Sequence, residues 1–332
     1  MPAITRRGFL IGSAAMLAMA AFRPARLATA FNFRIFGDAA RVTTPITPND
    51  EFYITSYRHT PEVDAKGWSL RIKGLVRNPL SLTYDSLLKR PHTGMISTLE
   101  CIGNSIGGES IGTAKWEGVK LNAILDEAGV NPKAVDVVLR GADGYADSFP
   151  AQRAMREEVL LVTKMNGVPL PDDHGFPARV IVPGIYGMKN VKWLTELELV
   201  DHDFKGYWET RGWSDEAEVQ TMSRIDLPGH SETLRSRDYT IKGIAFSGIR
   251  GVRKVEVSTD GGATWHPATL EPALSPYSWV LWSYQWKIPG PGRYKIVVRA
   301  TDGQGTVQSS IRRDDFPDGK SGLHDITVNV EI

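Results

Sequence analysis

The only cysteine of the chain, Cys101, lies between a β-prone stretch at residues 97–100 and four nearby glycines, the last of which is Gly112. A lone cysteine has no partner for an intramolecular disulfide, so it is a buried thiol, an intermolecular bridge, a reactive group or a metal ligand. Flexible backbone beside a thiol at a strand end allows close approach by a bulky ligand. Judged by itself, Cys101 fits a small buried hydrophobe better than a ligand, so the rest of the chain must decide.

Other metal and redox chemistries lack their residues in this chain. The seven histidines are scattered without an HExxH motif and no paired CxxC spacing exists, which leaves no basis for a zinc hydrolase or a zinc ribbon. A covalent c-type haem requires CxxCH, and an iron–sulfur cluster requires about four thiolates. We therefore expect neither haem nor an iron–sulfur cluster. Any metal must come with a cofactor, and any electrons must leave to another protein.

The composition is that of an ordinary globular protein. The chain has 332 residues, of which 42% are hydrophobic and 23% are charged, and this length is enough for two domains with separate cores. The 39 basic and 38 acidic residues give a formal net charge of +1. This balance offers no electrostatic reason to expect a nucleic acid or an anionic membrane as a partner.

Residues 1–30 have the pattern of an export signal. Arg6 and Arg7 precede an apolar run at residues 8–22, which is too short to span a membrane, and small residues follow at 28–30. The pattern predicts a twin-arginine signal that is cleaved after Ala30, so the mature protein is periplasmic and has no membrane span. A general secretory signal with two chance arginines is the alternative. The twin-arginine route exports folded proteins, which suits a cofactor inserted in the cytoplasm.

Two halves with different hydrophobic patterns follow this signal. Residues 31–225 mix strand-like runs at 68–72, 134–139 and 179–182 with helical stretches at 121–128 and 151–159, which predicts an α+β domain. Residues 226–332 alternate apolar and polar positions, and Asp260, Gly261 and Gly262 form a turn signal between two such runs. Short strands at this spacing favour a β-sandwich of about a hundred residues. We expect the boundary near residues 223–228.

The second half carries no residues that point to chemistry, so its expected role is structural. It contains a dense aromatic stretch at residues 277–286. One small core has limited room for so many rings, and we expect the surplus to mediate a homodimer. The alternative is that these rings only fill the core.

Five segments in the first half resemble the sulfite oxidase family of molybdenum enzymes, in order and at the family's spacing. They are residues 99–104, 112–119, 165–170, 173–179 and 182–194. The second half, with residues 258–265 and 300–303, resembles the immunoglobulin-like dimerisation domain of that family. The resemblance implies a molybdopterin-binding domain followed by an immunoglobulin-like sandwich.

The resemblance also implies a cofactor pocket and a reaction. Cys101 would be the protein's ligand to molybdenum, and the pocket would be lined by Tyr53, Asp143, His174, Arg179, Asn190, Val191 and Lys192. Molybdopterin carries a phosphate, so cations such as Arg179 and Lys192 suit it, and Asp143 can accept a hydrogen bond from a pterin amine. Each of these residues alone could be a satisfied core group or a solvated charge.

The reaction that the family implies is oxygen-atom transfer at molybdenum, with one molybdopterin per chain. Electrons would pass to an external carrier, such as a c-type cytochrome or a membrane redox subunit. The family runs this transfer in both directions, and the sequence does not indicate which direction applies here.

Four positions around the expected substrate pocket depart from the family pattern. Thr55 and Ile106 replace two arginines, Tyr57 replaces a histidine, and Phe204 replaces a tyrosine. A third arginine, expected at residues 316–322, has no clear counterpart. Recognition of a dianion needs such cations, so these changes favour a neutral or weakly charged substrate that contains sulfur or nitrogen.

Two other interpretations stay open. The protein could be a genuine sulfite dehydrogenase if Arg58, Lys189 or Arg211 supplies the missing charge. It could also be a non-catalytic exported binding protein built from a degenerate domain and a sandwich.

Overall fold

The computed structural model describes residues 43–332, and the predicted export signal lies outside the described residues. The first half contains ten strands in two sheets. They are β1 (Ser69–Gly74), β2 (Leu80–Thr83), β3 (Thr93–Glu100), β4 (Ile111–Lys120), β5 (Asp136–Gly141), β6 (Ala146–Pro150), β7 (Leu160–Met165), β8 (Val168–Pro169), β9 (Arg179–Ile181) and β10 (Leu194–Val200).

One of the two sheets has the strand order β2-β1-β10-β5-β6, and the other has the order β3-β4-β7-β8 with β9 paired to β7. The helices between them are short. They are α1 (Tyr84–Leu88), α2 (Leu121–Ala128), α3 (Ala151–Ala154) and the 3-10 turns Asp172–His174, Gly187–Lys189 and Glu209–Arg211. Alternating apolar side chains of β1, β5 and β10 pack with α2 into the larger core of this half.

The second half is a sandwich of two antiparallel-rich sheets with a shared apolar core. Its sheets have the orders β11-β13-β17-β16 and β12-β19-β18-β14-β15. The strands are β11 (Met222–Leu227), β12 (Thr233–Leu234), β13 (Asp238–Phe246), β14 (Val252–Ser258), β15 (His266–Pro267), β16 (Thr269–Leu270), β17 (Val280–Lys287), β18 (Gly292–Asp302) and β19 (His324–Val330), and a 3-10 turn covers Gly248–Arg250.

The sandwich and the first half share an apolar interface close to Cys101. Ile102 and Ile111 of the first half pack there with Phe246 and Trp279 of the sandwich. The backbone N–H of Trp279 donates to the hydroxyl of Thr98 on β3 at 2.8 Å. The end of the strand that carries Cys101 is therefore held directly by the sandwich.

The chain differs from the sequence-based expectation in its first half, where strands dominate over helices. The expected helix at residues 121–128 is confirmed as α2. The expected helix at 151–159 was wrong, because α3 ends at Ala154 and successive turns lead into β7. Val159 and Leu160 are buried there, and this demand for core packing overrides the helical pattern.

The alternating pattern of the second half is confirmed as strands, and so is the turn after β14. Gly261 and Gly262 have φ values of 79° and 104°, which residues with a side chain rarely adopt. The carboxylate of Asp260 accepts hydrogen bonds from the backbone N–H groups of Ala263 and Thr264 at 2.9 Å. The predicted domain boundary after residue 225 falls inside β11, which pairs with β13 of the sandwich.

The aromatic stretch at residues 277–286 is only partly internal. Trp279, Trp282 and Trp286 are all at most 4% exposed and pack in apolar cores. Tyr277 and Tyr284 are half-buried, so the tryptophans fill the cores as the alternative interpretation held, while the two tyrosines keep some exposed surface. Among the described residues, no helix is long and apolar enough to cross a membrane.

Candidate active site

Cys101 directly follows β3 and begins a tight loop. Its backbone N–H donates to the carbonyl of Ser110 at 2.9 Å, and its carbonyl accepts from the N–H of Asn104 at 2.9 Å. The hydroxyl of Thr55 and the backbone N–H of Gly103 lie beside its sulfur and act to lower the pKa of the thiol. Burial nevertheless raises the pKa of the Cys101 thiol. A bound metal ion would reverse this effect, because a coordinating thiol is deprotonated outright.

Glu100, one residue earlier, is a buried carboxyl for which the sequence indicated no role. Its Oε1 accepts from the side-chain amide of Asn104 at 2.9 Å, while its Oε2 is buried without a partner. Burial raises the pKa of Glu100 to about 7. Together with Cys101 it places two potentially anionic groups at the end of β3.

Tyr53 lies over the same strand end. Its ring stacks on Phe52 at 5.3 Å, and a Cβ added to Gly187 would be 2.8 Å from its hydroxyl and 3.5 Å from the carbonyl oxygen of Glu100. A side chain at position 187 would therefore fill the space beside the Tyr53 hydroxyl. Burial raises the pKa of Tyr53, so its hydroxyl is a protonated hydrogen-bond donor at neutral pH.

Arg179 is a buried cation at the start of β9. Its Nη1 donates to the carbonyl of His174 at 3.1 Å and its Nη2 to the carbonyl of Asn190 at 2.8 Å, while its Nε is buried without a partner. Among the described residues no carboxylate forms an ion pair with it. Burial lowers its pKa to about 10. A buried guanidinium with an orphaned N–H and no anion is expected to bind one.

Lys192 lies beside this arginine. Its Nζ donates to the hydroxyl of Ser56 at 3.0 Å and to the carbonyl of Asp173 at 2.8 Å. Burial and the charge of Arg179 lower the pKa of Lys192 to about 7, while the carboxylates of Asp173 and Asp143 act in the opposite direction. The Oδ1 of Asp143 is occupied by the backbone N–H of Tyr145 at 3.0 Å.

His174, Asn190 and Val191 hold the backbone around these cations. The Nε2 of His174 lies 3.0 Å from the carbonyl of Asn49, and burial lowers the pKa of His174 to about 4, so the ring is neutral. The side chain of Asn190 accepts from the N–H of Val182 and donates to the carbonyl of Tyr186. Val191 is buried in the larger core. Their arrangement suits a ligand with a phosphate and a polar edge.

A cleft beside the Cys101 loop is lined by Ile106 and by a segment of the sandwich. Its volume is about 380 Å³, and its lining consists of Ser105, Ile106, Arg312, Arg313, Asp314 and Lys320. Arg312 and Arg313 lie just before residues 316–322, where the sequence analysis expected a third arginine and found no counterpart. Arg312 is paired with Asp325, and the Nζ of Lys320 is 3.8 Å from Asp314.

Tyr57 and Phe204 are held by contacts made elsewhere. The ring of Tyr57 packs on Tyr207 with a centroid distance of 4.4 Å. The guanidinium of Arg140 lies 5.6 Å from the centre of the Phe204 ring, and the backbone N–H of Phe204 donates to Asp136 at 3.0 Å. Of the four altered positions, Thr55 and Ile106 are therefore the ones that the structure brings to the Cys101 loop.

The three cations considered as replacements are engaged. The Nζ of Lys189 is buried, and the carboxylates of Asp147, Glu209 and Asp215 lie 2.9 to 3.1 Å from it. Withdrawing this charge would leave the buried acids Asp147 and Glu209 without their cation, so Lys189 is not a mobile pocket residue. Arg58 lies over the ring of Tyr57 and Arg211 over the ring of Tyr207, at 4.9 and 3.6 Å from the ring centres.

Comparison with known proteins places these features in a family. Residues 57–208 match a model described as an oxidoreductase molybdopterin binding domain, and residues 214–313 match a Mo-co oxidoreductase dimerisation domain. The sulfite oxidase of Gallus gallus is 31% identical over 312 residues, which cover 79% of this chain and 68% of that protein. The chain belongs to the sulfite oxidase family.

Two further comparisons show how much of a known protein this chain covers. The mitochondrial sulfite oxidase of Homo sapiens is 35% identical over 311 residues, and the chain spans only 57% of that protein's length. The crystal structure of the sulfane dehydrogenase SoxCD from Paracoccus pantotrophus superposes with a TM-score of 0.78 at 26% identity. That superposition covers 88% of this chain and 85% of the SoxCD chain.

Proposed function

We propose that this member of the sulfite oxidase family is an exported molybdenum–molybdopterin oxidoreductase that transfers an oxygen atom and passes electrons to an external carrier. The observation that carries the proposal is a pair of cations, buried Arg179 and half-buried Lys192, which lie in the domain that also holds Cys101 and form no ion pair among residues 43–332. A cofactor phosphate would neutralise them. The cofactor itself supplies the two-electron redox chemistry.

Each polar group of the site has a defined task in this proposal. Cys101 is the soft donor that holds the metal, and the Thr55 hydroxyl with the Gly103 N–H fixes the direction of its sulfur. The Tyr53 hydroxyl is a proton donor in the space that Gly187 keeps open. Arg179, Lys192 and neutral His174 bind and orient the pterin and its phosphate, with Asp143 and the backbone of Asn190 and Val191 around them.

For the substrate, we propose a neutral or weakly charged sulfur or nitrogen compound. Thr55 and Ile106 lie at the Cys101 loop in place of arginines, which supports recognition without a dianion. The similar solved structure is named a sulfane dehydrogenase. This name supports the proposal that the present chain also acts on a substrate other than sulfite. A genuine sulfite dehydrogenase is the second candidate, and the cations Arg312, Arg313 and Lys320 in the cleft favour it.

The assembly and location of the protein are also proposals. The match to a Mo-co oxidoreductase dimerisation domain supports a homodimer in which residues 226–332 form an immunoglobulin-like sandwich. We propose residues 31–225 as the cofactor domain and the periplasm as the location. The redox partner is an external protein such as a c-type cytochrome or a membrane subunit.

The deciding experiment measures the metal in purified protein. We expect about one molybdenum per chain, and we expect Cys101→Ser to lose turnover because oxygen is a poorer soft donor than thiolate. Ser110→Ala, which changes a neighbouring side chain, serves as the control. Protein free of molybdenum would favour a non-catalytic binding protein, and full activity in the serine variant would refute the ligand assignment.

The substrate class is tested with sulfite and an artificial one-electron acceptor. Molybdenum-loaded protein is assayed at low and high salt, because attraction of a dianion by cleft cations weakens as salt screens it. We expect poor turnover with a high KM, and Thr55→Arg combined with Ile106→Arg should raise sulfite oxidation. Efficient wild-type turnover with a low KM that rises with salt would establish the second candidate.

A further inference from the structure

Residues 311–322 of the sandwich form a strap across the Cys101 loop, here called the strap. The backbones of Arg313 and Ser321 pair across it, and the N–H of Gly319 donates to the carbonyl of Asp315 at 2.7 Å. Phe316 packs edge-on against Trp213 with a centroid distance of 5.4 Å. The strap is therefore fixed against both halves of the chain, and the direction of its side chains is defined.

One acidic side chain of the strap points at the Cys101 loop. An oxygen of Asp315 lies 3.5 Å from the position that a Cβ on Gly103 would take, and the sulfur of Cys101 lies 3.9 Å from the same position. The carboxylate and the sulfur thus flank one small volume.

Asp315 has no cation of its own among residues 43–332. Its neighbours on the strap are neutralised instead: Lys320 lies near Asp314, and Arg312 is paired with Asp325. Asp315 is half-buried, and a half-buried carboxylate gains free energy from a hydrogen-bond donor or a positive charge. No residue of the described chain supplies that charge, so a ligand in the flanked volume is its available partner.

We propose that Asp315 sets the specificity of this site. It repels dianions such as sulfite, and it accepts a hydrogen bond from a substrate that carries a donor or a positive charge beside its reacting atom. The inference rests on the proposed oxygen-transfer function and names its substrate class. A substrate anion beside the Cys101 sulfur would lie close to the Asp315 carboxylate, and charges at such short range repel each other strongly. A dianion is repelled twice as strongly as a monoanion.

The first test uses molybdenum-loaded protein and sulfate as an inert dianion. Asp315→Asn should lower the sulfate inhibition constant and the sulfite KM by about threefold to tenfold, because one negative charge is removed at short range. Asp318→Asn is the control, since it removes an exposed acid from the same strap. Equal shifts in both variants, or no shift in either, would overturn the inference.

The second test needs no activity. In the full chain without cofactor, Cys101 is alkylated by iodoacetate, an anion, and by iodoacetamide, which is neutral and of similar size. The ratio of the two rates should be below that of free cysteine, should rise when salt is added, and should rise several-fold in Asp315→Asn but not in Asp318→Asn. A wild-type ratio that falls as salt is added would contradict the proposal even if Asp315→Asn fails to fold.

The two tests distinguish a failure of the proposed function from a failure of the proposed role of Asp315. Protein that binds no molybdenum refutes the proposed function, while the alkylation ratio still reports whether Asp315 repels anions at Cys101. Molybdenum-loaded protein in which Asp315→Asn changes neither the ratio nor the sulfate constant refutes only the role of Asp315.

Discussion

At the scale of single residues, the site is defined by charges that form no ion pair within residues 43–332. Arg179 and Lys192 have no carboxylate at ion-pair distance there, and Asp315 has no such cation. Lys189 has the opposite environment, with three acids around one ammonium group. Burying an unpaired charge lowers stability unless a ligand supplies its counterion, so these residues mark where ligands bind.

Lys192 gives a prediction for the pH dependence of stability. Its pKa is lowered from 10.5 to about 7 in the folded chain, mainly by burial. Between these values the unfolded chain holds a proton that the folded chain lacks, so the cofactor-free protein should become more stable as pH rises from 7 towards 10. Urea unfolding at pH 7 and pH 9.5 measures this. Lys192→Met should reduce the rise and be the more stable form at pH 7.

The control for this prediction is Lys164→Met, which removes an exposed lysine from β7. It should keep the same rise in stability with pH as the wild type. Inorganic phosphate at pH 7 should stabilise the wild type more than Lys192→Met, because an anion restores the charged form of Lys192. A Lys192→Met variant with the same pH dependence of stability as the wild type would contradict the assigned environment.

At the scale of elements, a short turn brings the proposed cofactor-binding residues Arg179 and Lys192 together. The 3-10 turn Asp172–His174 ends at Gly175, which has a φ of 110°. A Cβ on Gly175 would lie 3.0 Å from the Cβ of Lys192 and 3.2 Å from that of Arg179. The absence of a side chain at this turn therefore lets the two cations come close to each other.

Gly175→Ala should disturb this arrangement in two ways. The positive φ should lower the free energy of unfolding by about 1–3 kcal/mol. The added methyl group should move Arg179 and Lys192 apart, and the protein should therefore retain less pterin. Gly167→Ala is the matched control, because Gly167 has a φ of 84° but open space around its Cβ position. It should lose stability and keep its pterin, measured by fluorescence of the released cofactor. Equal pterin loss in both variants would show that strain alone is responsible.

At the scale of the whole molecule, the sandwich serves the site as well as its own core. Trp279 binds the strand that ends at Cys101, and the backbone carbonyl of Gly108 in the Cys101 loop accepts from Arg224 of β11 at 2.8 Å. The strap then places Asp315 beside the sulfur. The structural role first expected for this half therefore extends to shaping the surroundings of Cys101.

The proposed homodimer predicts the mass of the assembled protein. Sedimentation equilibrium of the purified protein at micromolar concentration should give twice the mass of one chain, because residues 214–313 match a dimerisation domain. The mass should be unchanged in Asp315→Asn, whose effect is confined to the site. A monomer at that concentration would contradict the proposal.

The sequence alone determined the features that depend on local pattern. The alternation in the second half predicted its strands, the glycines after Asp260 predicted a turn, and the helix at 121–128 followed from its periodicity. The segments around Cys101, His174, Arg179 and Lys192 indicated the family, which the comparisons confirmed. These are short-range signals, since each depends on residues within about ten positions of one another.

Only the tertiary structure decided which charges are free and what faces Cys101. Lys189 and Lys192 are alike in sequence, yet one lies among three acids and the other forms no ion pair with any carboxylate of the described residues. Trp279 reaches Thr98 across 181 residues, and the strap brings Asp315 to the Cys101 loop from the far end of the chain. Such contacts arise from the docking of two folded cores, and no local pattern encodes that docking because each core can form its strands without the other.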